Sequence, residues 1–181
     1  MMAFHRVPQP SAGRMVPVPG HPLVVAVVPG QSELVALTAA AWSDALGSVP
    51  LYFGYVDESR IVDEEFPDGS VRHTDLDPDQ ADDDWEERER AIRAFLTETL
   101  ADHAGPWEFR YLAGRPDRAL THLARAVDAS AFIVGARRPS SSERLREFLA
   151  ESVALHLSRH QHRPVIIVPV AVVDWKAPAP W

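Results

Sequence analysis

The chain has 181 residues, 46% of them apolar, and a net charge of −8; this suits one domain with a proper core and argues against wholesale disorder. Cysteine is absent, which excludes disulfides, thiol redox chemistry and thiolate metal sites, and no apolar run is long enough to span a bilayer. Between Asp57 and Glu87 lie 14 acidic and two basic residues, leaving +4 for the remainder, and a chain so arranged lacks the basic face that nucleic acid demands.

Residues 1–22 carry prolines at 8, 10, 17, 19 and 22 and no continuous apolar core. They read as a flexible Pro-rich arm rather than a signal peptide, and with no cysteine in the chain the expected compartment is the cytoplasm. The folded domain is expected over 23–170, with 171–181 as a C-terminal tail. Leu23 to Val28 is a β-branched run of the kind buried on both faces of a sheet. Pro29-Gly30-Gln31 breaks it, and Ser32 is placed to cap a helix with Leu34, Leu37, Ala41, Trp42 and Ala45 on one stripe. Gly47 suits the position after that helix, and a second strand runs from Val49 to Val56.

The stretch 57–81, with Pro67-Asp68-Gly69 and Asp77-Pro78 as turn signals, reads as a long acidic loop. Trp85, Ile92, Phe95, Leu96 and Leu100 then share a helical face, with acidic residues gathered at its start where the helix dipole favours them. Trp107 to Leu112 is a third strand. Gly114-Arg115-Pro116-Asp117 leads into a helix carrying Leu120, Leu123, Ala124 and Val127 on its stripe. Ala131 to Val134 is the fourth strand, ending at Gly135; a Ser-rich loop and an amphipathic helix follow, and Pro164 to Val170 is the fifth. Strands alternating with helices predict an α/β fold with a parallel sheet and right-handed crossovers. Ligands in such sheets bind at the carboxyl ends of the strands, where Gly135 stands.

Two further constellations have plain structural explanations. His156 and His160 are four apart on the last helix and could hold a metal, but no accompanying carboxylate motif marks a site, and cations near a helix C-terminus are favoured anyway. Ser152 lies one turn from His156, yet nothing marks a third catalytic member or an oxyanion hole. Trp42, Trp85 and Trp107 are expected in the core. There is no Gly-x-x-x-x-Gly-Lys-Ser/Thr or Gly-x-Gly-x-x-Gly run.

The segment from Ala131 through Gly135-Ala136-Arg137-Arg138 to Pro164-Val165-Ile166-Ile167-Val168 resembles the C-terminal half of the universal stress protein family, and the likeness of element order extends over about 23–170. The resemblance implies an open five-stranded parallel sheet of order 3-2-1-4-5 with helices on both faces, a Rossmann-like fold of the adenine nucleotide alpha hydrolase-like kind. ATP-binding members use a glycine, two residues, a second glycine, nine residues, then Gly before Ser or Thr. Such a loop brings bare backbone N–H groups and a helix N-terminus to the phosphates. Here Gly135 matches the first glycine, Arg138 occupies the second position, and Glu151 precedes Ser152 after a stretch three residues longer than the pattern. Members that bind ATP also usually carry an aspartate in the first strand, where this chain has Val27-Val28-Pro29.

If a nucleotide binds, the candidate contacts are Gly135, Arg137, Arg138, Ser140, Ser152, Val153 and Val56; Ser140 with Glu143 also has capping-box spacing. The expected function is a non-catalytic stress-response or regulatory module with a degenerate nucleotide site and no cofactor. The alternative is an ATP-binding module, with slow ATPase activity as its extreme. The family commonly pairs its fifth strand across a two-fold axis, so the expected partner is a second copy through Val165 to Val170, beside an unnamed protein partner. Neither nucleic acid nor membrane is expected as a partner.

Overall fold

The computed structural model describes residues 11–76, 84–136 and 153–170. After a short 3₁₀ turn at Ala12–Arg14 come β1 (Leu23–Ala26), α1 (Leu34–Ala45), β2 (Leu51–Asp57), β3 (Arg60–Glu65), β4 (Val71–Asp75) and α2 (Trp85–Thr99). Then follow β5 (Trp107–Ala113), α3 (Pro116–Ala126), β6 (Ala131–Gly135), α4 (Val153–His160) and β7 (Val165–Val168). Five strands form one parallel sheet of order β5-β2-β1-β6-β7, which is the expected 3-2-1-4-5. Because successive strand residues point to opposite faces, Leu23, Val25, Phe53 and Ile133 pack towards α1 and α2, while Val24, Phe132 and Val134 join Leu120, Leu123 and Leu157 of α3 and α4. Burying each phenylalanine contributes roughly 2–3 kcal/mol. Two covered faces explain why the strands read as unbroken apolar runs.

The helix stripes of α2 and α3 fall as expected, with Ile92, Leu96, Leu100, Leu120, Leu123 and Ala124 buried. That of α1 does not. Its buried face is Val35, Ala36, Ala39, Ala40 and Ser43, whereas Leu34, Leu37 and Trp42 are 48%, 46% and 43% exposed. Small residues let this helix lie close on the sheet, and the Ser43 hydroxyl donates to the Val49 carbonyl at 2.6 Å. Gly47, in the left-handed region at φ +89°, ends the helix as expected.

The expected acidic loop 57–81 is corrected more deeply over 57–76, its remainder lying outside the described residues. Arg60–Glu65 and Val71–Asp75 form an antiparallel hairpin with a bulge between Val62 and Glu64. The turn between them closes through Phe66 and Ser70, with Asp68 accepting from the Ser70 N–H and hydroxyl. Gly69 sits at φ +81° against α3, where an added Cβ would lie 2.7 Å from Leu123. Asp63, Glu64 and Glu65 point to solvent, Val71 packs against the core beside Leu123, and the other inward residues are polar: Arg60 Nε donates to His73 Nδ1 at 2.7 Å and its guanidinium also pairs with Asp75. Arg60 lies over the Trp85 ring, and His73 meets Trp85 edge-on. The fifth core strand is shorter than expected. Pro164 and Pro169 flank Val165–Val168, as residues without a donor should. Among the described residues, no helix is long and apolar enough to cross a membrane.

Candidate functional site

A cleft of about 970 Å³ opens at the carboxyl ends of β1, β2 and β6 and the N-terminal ends of α3 and α4. Its wall at β1 is a tight turn. Gln31 N donates to the Val28 carbonyl at 3.2 Å, the Val28 N–H donates to Gln31 Oε1 at 3.1 Å, and Gly30 supplies the left-handed residue at φ +68°. Val28, 56% exposed, faces the cleft at the end of the first strand. Hydrophobic lining comes also from Val56, Val134, Val153 and Val170.

The polar lining is anchored from behind. The buried Asp57 carboxylate accepts from Tyr111 Oη at 2.5 Å and Arg88 Nη1 at 2.8 Å on one oxygen, and from the Ser59 N–H and hydroxyl on the other. Burial pushes its carboxyl up, but these hydrogen bonds and the Arg88 charge outweigh it and hold the group below the usual carboxylate range. Burial, with the bond to Asp57, raises Tyr111 well above the ordinary phenol range. At the head of α3, Arg115 Nε and Nη2 donate to the two oxygens of Asp117 at 3.2 and 3.1 Å. Burial works against this carboxylate too, and the Arg115 fork, the Arg118 N–H and the charge of His156 bring it below its ordinary value. Among the described residues of this lining, Asp57 is thus paired from behind by Arg88 and Asp117 by Arg115, while Glu58 has no ion pair.

Of the residues proposed from the sequence, Gly135, Val153 and Val56 line this one cleft. Arg137, Arg138, Ser140 and Ser152 lie outside the described residues, as does Glu151. Gly135 has a packing reason of its own, since a Cβ there would come within 2.7 Å of the Gln31 amide nitrogen and 3.1 Å of Val35. Sequence reasoning missed Gln31, Asp57, Glu58, Ser59, Arg115 and Asp117. The last two stand at the carboxyl end of β5, so the rule that picked Gly135 would have found them. The His156 and His160 rings meet at a tilt of 51° with centroids 5.7 Å apart, and among the described residues no three candidate ligands come together for a metal.

The fold and cleft can be set beside known proteins. No curated protein matches the chain in sequence. A universal stress protein from Archaeoglobus fulgidus is 22% identical, with a TM-score of 0.58 over 81% of this chain and 97% of that one. A universal stress protein in complex with cAMP is 19% identical, with a TM-score of 0.57 over 84% and 99%. The Archaeoglobus fulgidus protein in complex with dAMP is 20% identical, with a TM-score of 0.55 over 81% and 96%. These likenesses speak for the fold. The model of the Universal stress protein family matches residues 21–169, and on that match, covering most of the sequence, the chain belongs to this family.

Proposed function

We propose that this chain is a non-catalytic regulatory module of the stress response, acting in the cytoplasm, whose cleft derives from a nucleotide site but does not hold ATP in the family's manner. The observation that carries this reading is the cleft's lack of spare positive charge: among the described lining residues its one guanidinium, Arg115, is already bound to Asp117, and Glu58 has no ion pair. A triphosphate there meets like charge in a partly dry site, where screening is weak. Val28, in place of the first-strand aspartate, removes the carboxylate that the family sets beside the nucleoside, and Glu151 adds an acid to the expected phosphate turn. Calorimetry with Mg-ATP tests the reading. Weak or no heat is expected, with a gain in Glu151→Gly; micromolar affinity of the wild type would overturn it.

A second reading, adenine-nucleotide binding, draws support from the cleft's volume, which suits a nucleotide-sized ligand. The related structures hold dAMP and cAMP, monophosphates that bring less charge than ATP. The same calorimeter with AMP separates the two readings.

We also propose that two copies pair through β7. Supporting this, β7 is the sheet's last strand, and Ile167 on it is 56% exposed. Antiparallel pairing across a two-fold axis would satisfy its free backbone groups and cover that side chain. Light scattering at tens of micromolar should give a dimer mass.

A further inference from the structure

A second, smaller hollow of about 460 Å³ runs along α3, lined by Arg115, Asp117, Arg118, Thr121, His122, Arg125, Glu65 and His160. It meets the large cleft at the Arg115–Asp117 pair, which lines both. The charges in it are unevenly spent. Arg115 is held by Asp117, and Glu65 lies 3.2 Å from His122 Nδ1. Arg118 and Arg125 have no ion pair among the described residues, and His122 Nε2 is buried without a hydrogen-bond partner there. Arg118, His122 and Arg125 are spaced i, i+4 and i+7, so they form one stripe along two turns of α3. In a chain of net charge −8, two unneutralised guanidinium groups flanking an orphaned ring nitrogen in a concavity are not the usual solvated helix face.

We infer that this hollow is a phosphate subsite. It takes the phosphate of a small molecule whose apolar part lies in the adjoining cleft. Guanidinium forks match phosphate oxygens in geometry and charge, which carboxylate-rich walls do not. The His122 ring, with its Nδ1 3.2 Å from the Glu65 carboxylate, lies between them on the same stripe. Among its described residues the large cleft is poor in positive charge, and a cationic surplus lies one step away along α3. The inference rests on the cleft being a ligand site, but the subsite can be tested without it.

The probe is inorganic pyrophosphate, titrated at fixed ionic strength and followed by the backbone amide resonances of Thr121 to Arg125 and the His122 ring. Wild-type protein should show saturable shifts there, and the Arg118→Gln/Arg125→Gln double variant should bind at least tenfold more weakly. Both side chains are exposed, so the variant should keep the wild-type melting temperature, and Arg90→Gln, on α2, serves as the charge control. Shifts equal in the double variant and in Arg90→Gln would overturn the subsite. So would an acidic peptide that reproduces the shifts where pyrophosphate gives none. Loss of adenosine or AMP binding with pyrophosphate binding intact would sink the nucleotide reading of the cleft and leave the subsite standing.

Discussion

At one edge of the sheet β5 lies beside the β3–β4 hairpin, supplied by its own chain; at the other, among the described residues, β7 ends the sheet with Ile167 exposed. The first edge is finished by polar chemistry. Arg60, His73 and Asp75 interlock, Trp85 meets His73 edge-on and Tyr111 meets it at a tilt, and Arg110 on β5 reaches Asp68 of the turn at 3.9 Å. The second edge has only β-branched side chains to offer. An edge can thus be protected within the chain or left as a surface for another copy, and the two solutions should fail differently when attacked.

Excising the hairpin is the harshest attack. Replacing 58–76 with a short Gly/Ser linker removes the Arg60–His73–Asp75 lock and the Ser59 bonds to Asp57. The melting temperature should fall by about 10 °C or more, as expected for a loss of some kilocalories in a chain this long. An unchanged melting curve would show that the hairpin only decorates the edge. Asp57→Ala comes next. It removes the acceptor of the Tyr111 hydroxyl and one partner of Arg88 from a buried site, and chemical denaturation should report a loss of about 3 kcal/mol. Gly69→Val attacks the hairpin's tip, forcing a β-branched residue to positive φ and into Leu123; a loss of about 2 kcal/mol is expected by the same measurement.

The pH dependence of the covered edge has a defined sign. Burial first, then the Arg60 charge, holds the His73 imidazolium below the ordinary histidine range. Protonation therefore favours the unfolded chain. Stability is full above about pH 6.5, the unfolded value, and declines as the pH falls through it towards the folded one. Asp57 adds a separate loss only below about pH 3.9, as its depressed folded value is approached. Urea midpoints at pH 7.5 and 5.5 should differ in the wild type and converge in His73→Gln. On the open edge, Ile167→Asp should change monomer stability by no more than about 0.5 kcal/mol and, if the proposed pairing through β7 holds, abolish the dimer mass in light scattering. A large fall in stability there would mean that β7 is already sealed by its own chain.

The five core strands were legible because burial on both faces writes itself as Val/Ile/Leu runs. The hairpin was not, because Val71 is joined by Arg60 and His73 among the side chains it turns inward, while Ile61 is exposed. Period-two alternation of apolar residues, the usual strand signal, is therefore missing. In α1 the two adjacent stripes are both apolar. Periodicity cannot choose between Leu34-Leu37-Ala41 and Val35-Ala39-Ala40, and the close approach of helix to sheet decides for the smaller residues. At the cleft, Gly135, Val56 and Val153 could be reached from a resemblance. The Asp57 cluster depends on Tyr111 and Arg88, which are distant in sequence and meet it only in the folded chain.

The order β5-β2-β1-β6-β7 also sets a timetable. Strand β1 is the first made and the most central, with Leu23 paired to Leu51 on one side and Ala131 on the other. During vectorial synthesis its first neighbour arrives early, but the second emerges only after the hairpin, α2, β5 and α3 have left the ribosome, a delay on the order of several seconds at ordinary elongation rates. Until then Leu23–Ala26, fully apolar, is an edge in its own right. The nascent domain is therefore most prone to intermolecular strand pairing in the interval between completing β2 and completing β6.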